Sequence, residues 1–312
     1  MPRILVVAPN WIGDALMAQP LLARLKQSGA RIDVLAPEWV APVARRMPEV
    51  DEVIAAPFRH GALHLGARWR IARSLKARGY GEAVVLPNTW KSALVPFFAG
   101  IARRIGYVGE ARYGLLNVIQ QKKNVSMPIH YARLAGGPDT ALPQPRLEVA
   151  DSEIRETRER FGIDAGYAAL CPGAEYGPAK RWPYFKELAE KIGMPVVILG
   201  SGKDAEAAAN LTGRNLVGKT TLDEAIRLIA GAAVVVSNDS GLMHVAAALG
   251  RPQVALFGSS SPEHTPPASA KARVLWLRLE CSPCFARECP LGHFRCMREI
   301  GVEKVLAAMA QR

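Results

Sequence analysis

Short apolar segments alternate with amphipathic segments along most of the chain. Val, Ile and Leu dominate the apolar segments, and apolar residues recur at helical spacing between them. This alternation predicts strands buried on both faces and helices that cover a parallel, doubly wound sheet, an α/β fold. The predicted strands are Arg3–Ala8, Ile32–Leu35, Val53–Ala55, Ala83–Leu86, Ile105–Tyr107, Tyr167–Cys171, Val196–Leu199, Val234–Val236 and Gln253–Phe257.

The predicted helices lie between these strands. One covers Ala15–Leu25, where Pro20 predicts a kink because proline has no amide hydrogen to bond to the preceding turn. The other predicted helices are Trp39–Arg46, Trp69–Ala77, 151–161, Trp182–Ile192, Leu222–Ala230, Leu242–Leu249 and Val302–Met309.

The alternation breaks between Met127 and Glu148, where proline and glycine are frequent. Both residues interrupt regular structure, so we place a linker around residues 135–150. A chain of 312 residues is long enough for two domains of ordinary size. We therefore predict two Rossmann-like domains, residues 1–148 and 149–312, with a ligand-binding cleft between the carboxyl ends of their strands.

The composition is typical of a globular protein, with 49% hydrophobic and 22% charged residues. The apolar runs are too short to span a membrane and the first residues lack the layout of a signal peptide, so we expect a cytoplasmic protein. The net charge of +12 is uneven, because residues 1–150 contain 20 Lys and Arg against 10 Asp and Glu, whereas residues 151–312 contain 20 against 18. A basic first half indicates a phosphorylated substrate, an anionic lipid surface or nucleic acid as partner.

The stretch Val234–Gly258 is the most informative one for function. It predicts a strand, the polar turn Ser237–Gly241, a helix and a second strand. Free N–H groups at the start of that helix would bind an anion, above all a phosphate. An ordinary turn in which Ser240 caps the helix fits the same residues.

Three separated motifs resemble those of the ADP-heptose:lipopolysaccharide heptosyltransferases, which form glycosyltransferase family 9 and have the GT-B fold. They are PNWIGDALMAQPLL (residues 9–22), PGAEYGPAKRWP (172–183) and SNDSGLMHVAAALG (237–250). The first two, with the terminal CSPCFARECPLGH (281–293), are most similar to the members that add the second heptose. The resemblance implies an inverting, metal-independent transfer of L-glycero-D-manno-heptose from ADP-heptose to the first heptose of the lipopolysaccharide inner core.

The resemblance also implies two catalytic residues. Asp14 would be the general base that removes the proton of the acceptor hydroxyl, and Lys180 the cation that neutralises the leaving diphosphate. A base opposite the leaving group suits an in-line displacement, and a positioned cation acts on charge that grows in the transition state. From the residues alone, Asp14 also fits a first-turn acid favoured by the helix dipole, and Lys180 a surface charge.

Other residues would hold the donor. Gly13 would let the backbone approach the ligand, residues 173–174 and 240–241 would contact the diphosphate, Asp239 the donor sugar, Asp204 the ribose and residues 218–221 the adenine. The predicted donor-binding residues are Gly13, Gly173, Ala174, Asp204, Lys219, Thr220, Asp239, Ser240, Gly241 and His244. His244 fits a core histidine equally well.

The basic first half fits a phosphorylated acceptor, the inner core carried on lipid A, which implies peripheral contact with the inner face of the inner membrane. Arg59, Arg103 and Arg104 are predicted to bind this acceptor, and the Arg103-Arg104 pair is expected near the cleft. Further candidates, which could equally form a solvated helix face, are His60, Arg68, Arg70, Arg73 and Arg112.

We predict no cofactor and no metal site. The sequence has no Asp-x-Asp motif at a strand end, and a lysine with a helix N-terminus can balance phosphate charge. Cys281, Cys284, Cys289 and Cys296 could hold a structural Zn²⁺ or form a disulfide, but reduced thiols are the simplest interpretation in the cytosol. Cys171 fits a core position.

Two other functions remain open at this point. One is a GT-B transferase with a different acceptor, such as a heptosyltransferase of type I or III. The other is a binding module for nucleic acid or an anionic surface, built on the basic half. Paired phosphate motifs disfavour the module, since a simple binder needs no second nucleotide-binding domain, and we expect no nucleic-acid partner.

Overall fold

The structure, a computed structural model, describes residues 1–58 and 61–310, so the acceptor candidates Arg59 and His60 lie outside the described residues. The strands are β1 (Arg3–Val7), β2 (Arg31–Pro37), β3 (Glu52–Ala56), β4 (Glu82–Val85), β5 (Arg103–Tyr107), β6 (Val118–Gln120), β7 (Ala168–Cys171), β8 (Val196–Ile198), β9 (Arg214–Asn215), β10 (Val234–Asn238), β11 (Gln253–Phe257) and β12 (Ala272–Trp276).

The helices lie between the strands and after the last of them. They are α1 (Ile12–Met17), α2 (Gln19–Gln27), α3 (Ala41–Ala44), α4 (Leu65–Lys76), α5 (Leu94–Phe98), α6 (Met127–Ala132), α7 (Asp151–Phe161), α8 (Phe185–Lys191), α9 (Ala205–Ala208), α10 (Leu222–Gly231), α11 (Gly241–Ala248), α12 (Arg295–Arg298) and α13 (Val302–Ala310). Short 3₁₀ turns cover Trp90–Ala93, Arg133–Ala135, Pro178–Lys180 and Gly202–Asp204. None of the helices in the described ranges is long and apolar enough to cross a membrane.

The chain divides into two compact units, Met1–Pro145 and a second that begins at Arg146. The sheet of the first unit has the parallel order β3-β2-β1-β4-β5-β6, and the sheet of the second has the order β12-β11-β10-β7-β8-β9. Counted within each unit, both follow the Rossmann order 3-2-1-4-5-6. The predicted α/β fold with two doubly wound parallel sheets is therefore confirmed.

The central strands are buried on both faces, as their continuous apolar runs predicted. All five residues of β10 and all five of β11 are buried, as are six of the seven residues of β2. Helices on both faces of each sheet supply the partner side chains; in the second unit, for example, Leu188 of α8 packs in one cluster with Val236 and Leu256.

In both units the strand order changes direction beside the first strand. In the first unit this point lies between β1 and β4, and in the second between β7 and β10. Loops that leave two such neighbouring strands turn to opposite faces of the sheet, which opens a crevice at the strands' carboxyl ends where ligands bind. The three motifs that carry the family resemblance begin after β1, β7 and at the end of β10.

The prediction of one helix over Ala15–Leu25 is wrong. The segment forms two helices, α1 and α2, which are separated at Ala18. Pro20 lies in the first turn of α2, where its missing N–H would have no intrahelical partner in any case. Proline here starts a helix instead of bending one.

Sequence patterns also missed several short elements. α6 forms within the segment rich in proline and glycine, again with a proline, Pro128, in its first turn. The short strands β6, β9 and β12 lie in the outer parts of the two sheets and contain no fully buried residue, so they lack the apolar run that marks a central strand.

Candidate active site

Asp14 lies just beyond the carboxyl end of β1, in the first turn of α1. The positive end of the helix dipole favours its carboxylate form. The hydroxyl of Tyr131, from α6, donates a hydrogen bond to Asp14 Oδ1 at 3.2 Å. Burial, and then the neighbouring carboxylate, raises the pKa of Tyr131 well above its ordinary value, so the phenol stays protonated and acts as a donor. The carboxylate is thus oriented by a hydrogen bond and only half-buried.

The loop after β7, residues 172–182, is tied to the end of β10 by one buried amide. Asn238 Nδ2 donates to the carbonyl of Pro172 at 2.7 Å, and Asn238 Oδ1 accepts from the amide of Trp182 at 3.1 Å. Because a single side chain holds both ends of this loop, which we call the donor loop, the position of Lys180 near its end is fixed beside β10.

Lys180 and Asp239 form an ion pair that is nearly excluded from solvent. The Nζ–Oδ2 distance is 2.5 Å, and the side chains are 14% and 5% exposed, respectively. The hydroxyl of Ser260 donates to the same carboxylate oxygen at 2.5 Å. These bonds hold the ammonium group at the carboxyl end of β10, immediately before α11.

The first turn of α11 has no side-chain cap. Ser240 has extended backbone but accepts no cap hydrogen bond; its hydroxyl instead lies 3.2 Å from that of Ser237. The predicted alternative, in which Ser240 simply caps the helix, is therefore not what the structure shows. Uncapped N–H groups beside a fixed lysine are the chemistry that binds a phosphate or diphosphate.

His244 lies one turn into α11 and is buried, with 6% of its surface exposed. Burial lowers the pKa of its imidazole to about 4; the charge of Asp239 raises the pKa and that of Lys180 lowers it. The side chain is therefore neutral near pH 7. Its burial agrees with the core alternative, while its place behind the Lys180–Asp239 pair keeps it close to the predicted site.

Gly173 and Asp204 have a steric relation that the sequence did not indicate. A Cβ atom at Gly173 would lie 2.2 Å from Cγ of Asp204, so only glycine fits there. Asp204 Oδ2 accepts hydrogen bonds from the amide and the hydroxyl of Ser201 at 2.9 and 2.8 Å. Asp204 thus caps its own 3₁₀ turn and packs closely against Gly173 of the donor loop. Its predicted contact to the ribose stays a prediction.

The remaining predicted donor residues also lie after the carboxyl ends of strands. Ala174 is buried beside Gly173, and Gly13 directly precedes Asp14 in the first turn of α1. Lys219 and Thr220 follow β9 and lead into the capping box of α10, in which Thr221 and Glu224 bond each other's backbone amides. Their contacts to adenine stay a prediction.

Arg103 and Arg104 lie at the amino end of β5, whereas Asp14 follows the carboxyl end of β1 in the same parallel sheet. Arg103 bonds Glu82 at 2.8 Å, and Arg104 donates to the carbonyl of Leu115 at 2.7 Å. The expectation that this pair lies near the cleft is wrong. β5 begins at the arginines and ends at Tyr107, and ligands of such sheets bind at the carboxyl ends of the strands. Their placement disfavours the predicted acceptor role.

Two further arginine candidates serve the fold. Arg68 is 5% exposed and donates to the carbonyls of Leu63 and Lys91. Arg112 is 2% exposed and donates to the carbonyls of Tyr107 and Pro87. Neither guanidinium group is available to an acceptor, whereas Arg70 and Arg73 of α4 are exposed.

The cysteines are free thiols. Cys171 is buried in β7, as its core prediction requires. Cys281, Cys284 and Cys289 lie between β12 and α12, and Cys296 lies in α12. Among the described residues, no group of three or more His, Cys, Asp or Glu side chains is arranged to hold a metal ion. Whether the protein functions without metal stays a prediction.

The sequence interpretation missed Tyr131 and Ser260, which bond the two predicted catalytic groups or their partners. Tyr131 lies in the segment interpreted as irregular; the signal that could have revealed its helix is Pro128, which suits a first helical turn. Ser260 follows β11 in the run Gly258–Ser261, which ends a strand at the same sheet edge as the motifs. Only the order of the strands brings it to Asp239.

Similarities to known proteins identify the family of this chain. The sequence model of glycosyltransferase family 9 (heptosyltransferase) matches residues 68–295. Lipopolysaccharide heptosyltransferase 2 of Escherichia coli strain K12 is 47% identical over 306 residues, and its counterpart in Salmonella typhimurium strain LT2 is 45% identical, each match covering 88% of both chains. The solved structure of E. coli ADP-heptose lps heptosyltransferase II has a TM-score of 0.87 and 42% identity, covering 98% of this chain and 97% of that one. Since the family match spans more than half of the chain and the relatives are nearly half identical, the protein belongs to glycosyltransferase family 9, the heptosyltransferases.

Proposed function

We propose that the protein transfers L-glycero-D-manno-heptose from ADP-heptose to the first heptose of the lipopolysaccharide inner core, as a type II heptosyltransferase. The relatives named heptosyltransferase 2 support this acceptor. The observation that carries the donor assignment is the Lys180–Asp239 pair at 2.5 Å beside the uncapped start of α11. A fixed cation and free helix N–H groups suit a nucleoside diphosphate.

On the donor side, Lys180 and the N–H groups of Ser240 and Gly241 would bind the diphosphate. Negative charge grows on the leaving ADP as the glycosidic bond breaks, and prepositioned donors stabilise that charge without reorganising. Asp239, which already accepts from Lys180 and Ser260, would contact the hydroxyls of the donor sugar with its other oxygen. We propose that this charge balance lets the transfer proceed without a catalytic metal.

On the acceptor side, Asp14 would accept the proton of the attacking hydroxyl as that oxygen bonds to the anomeric carbon. The carboxylate suits this role because the dipole of α1 favours its charged form and Tyr131 donates a hydrogen bond to one of its oxygens. The acceptor is carried on lipid A, so we propose a protein of the cytoplasm that works peripherally at the inner face of the inner membrane.

The test compares wild type with Asp14→Asn, using ADP-heptose and two acceptors that either carry or lack the first heptose. The wild type should use the acceptor that carries this heptose. Asp14→Asn keeps the size and the hydrogen bond of the side chain but cannot take the proton. We expect kcat to fall roughly 10²–10⁴-fold while ADP affinity is kept and stability changes by at most about 1 kcal/mol.

A matched control is Glu38→Gln, because Glu38 is an exposed acid directly after β2 on the same sheet edge. It should keep the wild-type rate. A folded Asp14→Asn enzyme with a tenth or more of the wild-type kcat would refute the base assignment. Turnover only of the acceptor without the first heptose would instead make the protein a type I enzyme.

A further inference from the structure

The segment between β12 and α12 packs against the donor loop. We call residues 277–294 the terminal loop. The carbonyl of Arg287 accepts a hydrogen bond from the amide of Ala179 at 3.0 Å, and the carbonyl of Phe285 accepts one from the hydroxyl of Tyr176 at 2.5 Å. The two loops are therefore joined one residue before Lys180.

Gly177 makes the contact between these loops close. A Cβ atom there would lie 2.4 Å from the carbonyl oxygen of Arg287, and the backbone has φ +152°, which side chains rarely tolerate. The position of Arg287 is thus fixed by its main chain. Its side chain contributes nothing to that fit and is exposed.

The terminal loop is also anchored at the carboxyl end of β11. The amide of Phe285 donates to the carbonyl of Ser259 at 2.7 Å, and the hydroxyl of Ser282 donates to the carbonyl of Gly258 at 2.6 Å. Hydrogen bonds on two sides hold this part of the loop beside the carboxyl ends of β10 and β11, where the candidate site lies.

Tyr176 carries two cations on one aromatic ring. Lys180 Nζ lies 4.7 Å from the centre of the ring and Arg287 Cζ lies 5.4 Å from it. Both distances are within the range of cation–π attraction. Lys180 also has Asp239 as a partner, whereas no acidic side chain of the described residues forms an ion pair with Arg287. Both cations thus lie against one ring, and an anion bound beside that ring would be attracted by both.

We propose that Arg287 is a second diphosphate-binding cation, which the terminal loop places beside Lys180 and the ring of Tyr176 orients. A guanidinium group can donate two parallel hydrogen bonds to one phosphate, which an ammonium group cannot do. Arg287 would stabilise the charge on the departing ADP without forming or breaking a covalent bond. This inference rests on the proposed function, because it takes the donor to be a nucleoside diphosphate sugar.

The test is calorimetric titration of the full chain with ADP and with adenosine. Arg287→Ala keeps every main-chain contact described above and removes only the guanidinium group. We expect ADP affinity to fall about 10- to 100-fold, the usual effect of losing a charged hydrogen-bond donor, and adenosine affinity to stay unchanged. Arg287→Lys should lose less than Arg287→Ala, since it retains the charge.

Arg278→Ala is the matched control. Arg278 also stacks on an aromatic ring, with Cζ 4.6 Å from the centre of Trp276, but it is paired with Glu263 at 3.0 Å. This variant should bind ADP like the wild type. Wild-type ADP affinity in Arg287→Ala, or an equal loss for ADP and adenosine, would overturn the inference and leave the proposed function intact. If the wild type itself bound no ADP, the donor assignment and this inference would fail together.

Discussion

Lys180 and Ser260 share a single oxygen of Asp239. Because both partners donate to Oδ2, the position of the lysine depends on a carboxylate that is itself fixed by a hydroxyl. The pair is nearly buried, so each charge depends on the other for compensation. A site of this kind holds its cation in place before the substrate arrives, which is what electrostatic stabilisation of a leaving group requires.

Lys180→Ala should therefore have two separable effects. Loss of the cation should weaken ADP binding by about 1.5–3 kcal/mol, and the unpaired Asp239 should lower the free energy of unfolding by about 1–3 kcal/mol. The double variant Lys180→Ala/Asp239→Asn removes the unpaired charge, so it should recover stability but not ADP affinity. Titration with ADP and urea denaturation on the same samples measure both effects. If Lys180→Ala bound ADP like the wild type, Lys180 would not belong to the site.

His244 should make the stability of the second unit depend on pH. Its folded-state pKa of about 4 lies below the ordinary value of 6.5, so the unfolded chain takes up the proton first as the pH falls. The stabilisation is complete above pH 6.5 and is lost between pH 6.5 and 4, with about 2 kcal/mol lost between pH 7 and 5. Asp239 and Lys180, the charged groups that act on His244, oppose each other in this shift.

Urea denaturation at pH 7 and pH 5 tests this, with titration of the imidazole by NMR. His244→Gln should lose less stability than the wild type over this interval. His264→Gln, which removes a partly exposed histidine of the same unit, is the control and should behave like the wild type. An imidazole of His244 that titrates near pH 6.5 would contradict the expectation.

At the scale of elements, the central strands and the edge strand β3 were predictable, whereas the edge strands β6, β9 and β12 were not. Gln253–Phe257 has the bounds that its apolar run predicted, and the helix over 151–161 matches α7. Such segments carry their own signal, because burial on both faces demands continuous apolar residues. β9 and β12 are partly exposed, and their pairing depends on the neighbouring strand, which no local pattern records.

The candidate site was predictable where a motif follows a strand. Asp14, Lys180 and Asp239 all lie at the carboxyl ends of strands that flank a switch point. The position of Arg103 and Arg104 was predicted wrongly. They stand at the start of a strand, and in a parallel sheet all strands start on the side away from the crevice in which ligands bind. Arg287 and Tyr131 come from segments far along the chain, so only the fold brings them to the motifs.

At the scale of the whole molecule, the uneven charge distribution predicts that salt affects the binding of the two substrates differently. The first half holds most of the net charge of +12, while the Lys180–Asp239 pair at the predicted diphosphate site in the second half is nearly buried. Solvent-exposed charges are screened within about 8 Å at physiological ionic strength, whereas buried contacts are screened much less. Acceptor binding should therefore weaken with salt more than donor binding does.

The structure indicates which exposed charges should carry this effect. Lys123 follows the carboxyl end of β6, and Asp14 follows the carboxyl end of the parallel strand β1. Arg103 instead lies at the amino end of β5. Both are exposed, so Lys123→Gln and Arg103→Gln remove one charge each without disturbing the core.

Lys123→Gln should raise the KM for a phosphorylated acceptor several-fold and make this KM less dependent on salt between about 0.05 and 0.5 M. The reason is that a long-range attraction at the carboxyl ends of the strands is lost. Arg103→Gln should change neither quantity, and both variants should keep the wild-type KM for ADP-heptose. If the two variants changed the KM for the acceptor equally, the net charge of residues 1–150 would attract the substrate, and the position of each charge would not matter.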